Sequence, residues 1–254
     1  MTRYFLEVAY KGTNYSGFQV QENANTIQAE ITKAFRTIHR TEVQLTGSSR
    51  TDSGVHAYQN YFHFDFEGNV HPQFVYKMNA ILPYDIAVKN LYKMNGKDHS
   101  RFDAQSREYI YRIHRFKNPF NEHTSYYYPY KLDLKKMEEG ASLIKEQTNF
   151  TAFSKTNTQV KNYNCKILES QWLMYEEEMI YHIRANRFLR GMVRSLTAVL
   201  LKLGRDKIAM SELEGYFKES VKCPYSTPAH GLYLKSVHYP ENFFSLSGIG
   251  FTSF

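Results

Sequence analysis

The chain has 254 residues, of which 42% are hydrophobic and 22% charged, and 32 Lys and Arg outnumber 25 Asp and Glu for a net charge of +7. No stretch approaches the roughly 20 consecutive apolar residues that cross a bilayer, and the only cysteines, Cys165 and Cys223, supply neither a disulfide framework nor a Cys-x-x-Cys metal clamp. The start of the chain, with Glu7 inside its apolar run, does not read as a signal peptide, so a cytoplasmic protein is expected, its basic charge and its 21 Tyr and 18 Phe suiting phosphate backbones and stacked bases.

Taken in chain order, RYFLEVAY places Tyr4, Leu6, Val8 and Tyr10 at period two and predicts a strand. TIQAEITKAFRTIHR sets Ile27, Ile31, Ala34, Phe35 and Ile38 at helical spacing. EVQLTG and NYFHFDF read as two further strands, the second with Phe62, Phe64 and Phe66 on one face; a helix through PQFVYKMNAIL and a strand at DIAVKNLYKM complete the order β-α-β-β-α-β.

The same order recurs from REYIYRIHRF onward. The helix DLKKMEEGASLIKEQ, strands near CKILESQWLMY and MIYHIRAN, the helix RFLRGMVRSLTAVLLKLG and a strand at GLYLKSVHYP follow. An α+β fold of two ferredoxin-like halves is therefore expected, residues 1–100 and 101–254, with the boundary in the polar segment at residues 95–106. In each half two helices cover one face of an antiparallel sheet and leave the other face for a partner, so that side by side the halves form a central cleft.

Between the second and third strands lies TGSSRTDSGVHAYQ. Gly47 and Gly54 can take conformations that other residues avoid, and Ser48, Ser49, Thr51 and Ser53 can bond their own main chain, so the loop can be rigid without a core. Arg50 and Asp52, two residues apart, point the same way if the backbone between them is extended, which keeps the carboxylate ionised and oriented as a nucleophile or general base requires. The alternative is an ordinary loop in which the Asp makes an Asx-turn and the Arg is solvated.

SRTDSGVHA resembles the Gly-Arg-Thr-Asp-Ala-Gly-Val-His-Ala signature of the TruA family of tRNA pseudouridine synthases. YKGTNYSGFQVQ, REYIYRI, NFTAFS, NRFLRGMVR and AHGLYLKSVHYP resemble further family motifs in the right order across the whole chain. The chain departs from the pattern at Lys11, Phe18, Ser49, Ser53 and Thr197-Ala198. The resemblance implies isomerisation of uridine to pseudouridine at positions 38, 39 and 40 of the tRNA anticodon stem-loop, without metal or organic cofactor, by a homodimer. It makes Asp52 the nucleophile, acting on ribose C1′ or on base C6. Arg50 is then its resting partner and fills the space of a flipped base. Tyr109 matches the family's substrate-contacting tyrosine, which stacks on the target uracil; without the resemblance it reads as a core tyrosine sharing a strand face with Tyr111 and Ile113. His56, beside a Gly-Val turn, reads as a structural group.

A candidate RNA grip lies on the helix expected from Arg187 to Gly204. Arg187, Arg190 and Arg194, at i, i+3 and i+7, would share a face opposite an apolar stripe and contact phosphates. The runs KTNTQVKNYNCK and RDKIAMSEL would add contacts at its rim. Two other classes compete. A non-catalytic RRM lacks its base-stacking motif here, and a metal-dependent nuclease lacks clustered ligands, since His56 alone stands near Asp52.

Overall fold

The structure, a computed structural model, describes residues 1–155, 160–219, 221–244 and 248–250. In chain order the elements are β1 (Thr2–Tyr10), α1 (Ile27–His39), β2 (Thr46–Gly47), β3 (His56–Phe66), α2 (Phe74–Ile81), β4 (Ile86–Met94), β5 (Ser106–His114), β6 (Tyr126–Tyr127), α3 (Leu134–Glu146), β7 (Ile167–Met174), β8 (Glu178–Ala185), α4 (Met192–Gly204), α5 (Met210–Lys218), β9 (Leu232–His238) and β10 (Gly248–Gly250). The fold is mixed α+β and its strand pairings are mostly antiparallel. The chain forms two units, one of Met1–Gln105 with Leu234–Phe254 and one of Ser106–Tyr233.

In the first unit β1 lies between β3 and β4, antiparallel to both. Its period-two alternation sends Tyr4 and Leu6 to one face, where Tyr4 stacks on Phe64 at 5.6 Å. Phe35 of α1 meets Phe64 and Phe74 edge-on at 5.2 and 5.6 Å, which ties α1, α2 and the sheet into one aromatic core. Helix α1 starts where expected because the Thr26 hydroxyl accepts the Ala29 N–H, and it ends at Arg40 in the left-handed region.

Two expectations fail here. The run EVQLTG does not form a full strand: only Thr46 and Gly47 pair with β3, opposite His63 and Phe62. Strand β1 takes the whole of one edge of β3, and β9 shares the other edge with β2, so little edge is left for the segment that precedes the loop. Nor is the second sheet face of this unit left open. Phe5, Tyr61 and Tyr92 on that face are covered by Tyr239, Phe243 and Phe244; Phe244 stacks on Tyr61 at 5.2 Å and lies 4.5 Å from Tyr92. This explains why Tyr4 to Val8 are all buried, with no alternation in exposure.

Glu7 sits on that covered face, 3% exposed. Its carboxylate accepts from Gln59, Asn90 and Tyr92 at 2.8–2.9 Å and lies 3.4 Å from the Lys89 ammonium. Burial opposes its charge, but these hydrogen bonds and Lys89 outweigh burial and hold the carboxyl below its usual range.

In the second unit β8 runs between β5 and β7, antiparallel to both, and β6 adds two residues parallel to β5. Helix α4 is buried almost all round rather than on one stripe, as expected of a helix with neighbours on several sides. Helix α3 reaches it through glycines. A methyl group at Gly140 would stand 2.7 and 2.8 Å from Leu203 and Leu200, and one at Gly204 would stand 2.5 Å from Met137.

Helix α4 begins at Met192, five residues later than the pattern predicts. Gly191 stands just before it at φ 76°, a left-handed conformation that stops the helix from extending backward, and Met192 N–H bonds to Leu189 O instead. Arg187 and Arg190 therefore precede the helix, and the three arginines share no helical face. Of the two rim segments, residues 156–159 lie outside the described residues. RDKIAMSEL leads into α5, with Ile208 and Leu213 buried.

Candidate active site

The loop from Thr46 to His56 is held by the segment that follows β1. Tyr10 OH accepts from Asn60 Nδ2 at 3.1 Å and shares a hydrogen bond with Thr51 Oγ1 at 2.8 Å. Asn60 Nδ2 also donates to Ser49 O at 2.8 Å, and Ser48 N–H to Tyr61 O at 2.7 Å. On the other side, Phe18 N–H donates to Thr51 O at 3.1 Å, and Ser53 Oγ to Tyr15 O at 3.1 Å. Thus the residues flanking Asp52 on both sides are bonded to elements that are themselves part of the core.

Asp52 opens a turn. Val55 N–H donates to Asp52 O at 3.1 Å across Ser53 and Gly54, and Gly54 takes φ 77°, which a side chain would strain. Gly17, at φ 104°, lies against the same stretch, where a methyl group would stand 3.0 Å from Thr51 O. Gly12 comes closer still: a methyl group there would stand 2.0 Å from Val55 O. Its N–H donates at 3.0 Å to His56 Nδ1, which is therefore unprotonated; His56 is buried and acts as an acceptor for the main chain.

A second carboxylate braces the clamp. Tyr15 OH donates to Asp85, Asn14 Nδ2 donates to Asp85 Oδ2 at 3.1 Å, and Lys11 N–H donates to Asp85 O at 2.8 Å. Burial and the Asp85 carboxylate push the Tyr15 hydroxyl well above the usual phenol range, so it stays a donor. Phe18 lies flat on Phe62 at 4.4 Å and packs against Gly47, closing the base of the loop.

Asp52 itself is half-buried and Arg50 is exposed. Among the described residues Arg50 makes no ion pair with Asp52. Tyr10, Tyr15, Asn60 and Asp85 escaped the sequence reading as parts of the site. Tyr10 and Tyr15 lie in the motif YKGTNYSGFQVQ, whereas Asn60 and Asp85 are far from it in sequence and carry no local signal of their part in the site.

The remaining predicted residues are in the second unit. Tyr109, 8% exposed, stands on β5 opposite Ile183, its ring edge-on to Phe188 at 5.0 Å. Phe188 belongs to the turn between β8 and α4 that also carries Arg187 and Arg190. Arg187 is half-buried, and its charge opposes the burial that pushes the Cys165 thiol up to about 11. Arg190 is exposed, and its carbonyl accepts from Lys155 N–H. Arg194, inside α4, donates from Nε to Thr227 O at 2.7 Å while Thr227 N–H and Oγ1 bond back to Arg194 O, so this arginine holds a loop.

The family model described as tRNA pseudouridine synthase matches residues 7–103 and 147–240. A Parabacteroides distasonis protein named tRNA pseudouridine synthase A is 38% identical over 96% of this chain and 98% of its own length. A Bacteroides thetaiotaomicron protein of the same name is 39% identical over 96% of this chain and 93% of its own, and one from Staphylococcus aureus 34% over 94% and 92%. With a family model matched over most of its length, including the loop that holds Asp52, and relatives above 30% identity end to end, this chain belongs to the tRNA pseudouridine synthase family.

Proposed function

We propose that this protein isomerises uridine to pseudouridine in the anticodon stem-loop of tRNA, at positions 38, 39 and 40, with Asp52 as the nucleophile. The observation that carries this reading is the clamped loop: a carboxylate is presented on a turn whose neighbours on both sides are bonded to core elements, as a nucleophile that must not swing requires. The glycosidic bond from N1 breaks, the base turns while held, and C5 bonds to the ribose as its proton leaves. Asp52 holds the substrate covalently between those events, on ribose C1′ or base C6. Arg50, exposed beside it, occupies the space that the extruded base vacates. Tyr109 stacks on the uracil, and Arg187, Arg190 and Arg194 contact tRNA phosphates.

Each unit is read as a ferredoxin-like half, a reading supported by the element order β1-α1-β2-β3-α2-β4 in the first. The active form is a cytoplasmic homodimer; among the described residues no helix is long and apolar enough to cross a membrane. The test is to incubate an unmodified tRNA transcript with purified protein and map pseudouridine. Modification at positions 38 to 40 is expected. Its absence at every uridine, with the protein folded and the tRNA bound, overturns the reading.

A further inference from the structure

The loop between β5 and β6 plays no part in the chemistry above, yet it is built with care. Asn118 Oδ1 accepts the Phe120 N–H at 3.0 Å, Pro119 opens a single 3-10 turn, and the Asn121 carbonyl accepts the N–H groups of Thr124 and Ser125 at 3.1 Å. On this braced loop Phe116 and Phe120 are 70% and 90% exposed. Beside Phe116 is a cavity of about 150 Å³, lined also by His114, Lys117, Asn118, Asn121 and Glu177. His114 is only 6% exposed, and its Nδ1 has no hydrogen-bond partner among the described residues. Burial holds the imidazole below its usual range, so it is neutral at pH 7 and Nδ1 is an unused buried polar atom.

Resting on the tRNA reading, we propose that this cavity is a second RNA subsite that receives one unpaired base, guanine in preference to the others. The cavity is smaller than the roughly 300–1,000 Å³ of pockets that take whole small molecules, so it suits one ring system of a larger ligand. An exposed phenyl face at its mouth is what an unstacked base seeks. Lys117 and Glu177 leave the lining without net charge, so it does not select a phosphate; Glu177 accepts N–H groups, and guanine offers N1–H and N2–H side by side to one carboxylate. The Asn118 amide nitrogen, whose Oδ1 is engaged with Phe120, and the Asn121 amide remain for the rest of the base edge.

The sign of one substitution separates this proposal from plain electrostatics. Removing a carboxylate near bound RNA relieves repulsion of phosphates and should tighten binding. A Glu177 that reads a base predicts the reverse. Binding of an unmodified tRNA transcript to the full-length protein is measured on filters at fixed salt. Phe116→Ala and Glu177→Gln are each expected to weaken binding about 10-fold with unchanged melting temperature. Glu176→Gln, one residue away and not in the cavity lining, should bind as well as wild type or slightly tighter. Equal or tighter binding by Glu177→Gln overturns the subsite. A photo-crosslinking benzoylphenylalanine at position 120 is expected to attach to an unpaired tRNA base; attachment to a second copy of the chain makes the loop a subunit interface and overturns it too. Failure of the wild type to bind tRNA defeats the substrate reading itself, whereas wild-type binding with indifferent variants defeats only the subsite.

Discussion

The hydroxyls of Tyr10 and Thr51 share a hydrogen bond of 2.8 Å, and through it the end of β1 holds the residue immediately before Asp52. Asn60 secures both this bond and the Ser49 carbonyl, so three segments of the first unit meet at one buried amide. The position of the carboxylate is thus set by the core. Changes to that core should be felt in turnover.

Asp52→Asn tests the chemistry alone. Asn nearly matches Asp in shape but is not a carboxylate nucleophile, so fold and tRNA binding are expected to persist while isomerisation falls by on the order of 10⁴-fold. Release of tritium from C5-labelled uridine in tRNA measures the rate. Wild-type release by the purified variant would show that Asp52 is only a loop residue.

Gly12→Ala tests the clamp. The added methyl group would meet the Val55 carbonyl at 2.0 Å, and backbone cannot swing aside as a flexible side chain would. A loss of about 1–3 kcal/mol in stability, together with slower isomerisation, is expected from denaturant melts and the tritium assay. Gly96→Ala, with nothing within 4 Å, should change neither.

The electrostatic part of binding is addressed by salt. With a net charge of +7, affinity for tRNA should fall steeply as salt rises, because neutralised phosphates release condensed counterions. Arg190→Ala removes an exposed cation and should weaken binding while making the slope of log affinity against log salt shallower by about one. A flat salt response would contradict the phosphate contacts proposed for the three arginines.

Acid stability follows from His63. Burial, with His99 and Arg3 adding to it, brings this histidine down to about 4, and its Nδ1 accepts the Ser100 N–H at 3.2 Å. Between that value and the ordinary 6.5 the unfolded chain binds a proton that the folded chain does not. Stability should therefore be level with respect to this group above about pH 6.5 and decline as pH falls toward 4. His63→Gln should flatten that part of a plot of melting temperature against pH; an unchanged slope would assign the effect to other groups.

Several features were legible without any coordinates because they depend on neighbours in the chain. The apolar spacing of Ile27, Ile31, Ala34, Phe35 and Ile38 was enough to place α1, and the strand patterns placed β1, β4, β5 and β8 to within a residue or two. The glycine and hydroxyl residues of SRTDSGVHA declare a structured turn locally, but it is the resemblance of the motif to the family signature that singled out Asp52 within it.

What tertiary structure decided depends on residues far apart in sequence. EVQLTG has the alternation of a strand, but whether it pairs depends on how much edge of β3 is left once β1 and β9 are in place, and only Thr46 and Gly47 find room. The apolar period of RFLRGMVRSLTAVLLKLG continues through Gly191, yet the helix starts after it because Gly191 takes a left-handed φ, and with that the arginine stripe dissolves. Nothing in YKGTNYSGF by itself reveals that Gly12 must yield space to Val55, or that Tyr10 bonds to Thr51 across 41 residues. Periodicity records which face of an element is apolar; which surface meets that face, and how closely, is settled only when distant segments compete for the same edge and volume.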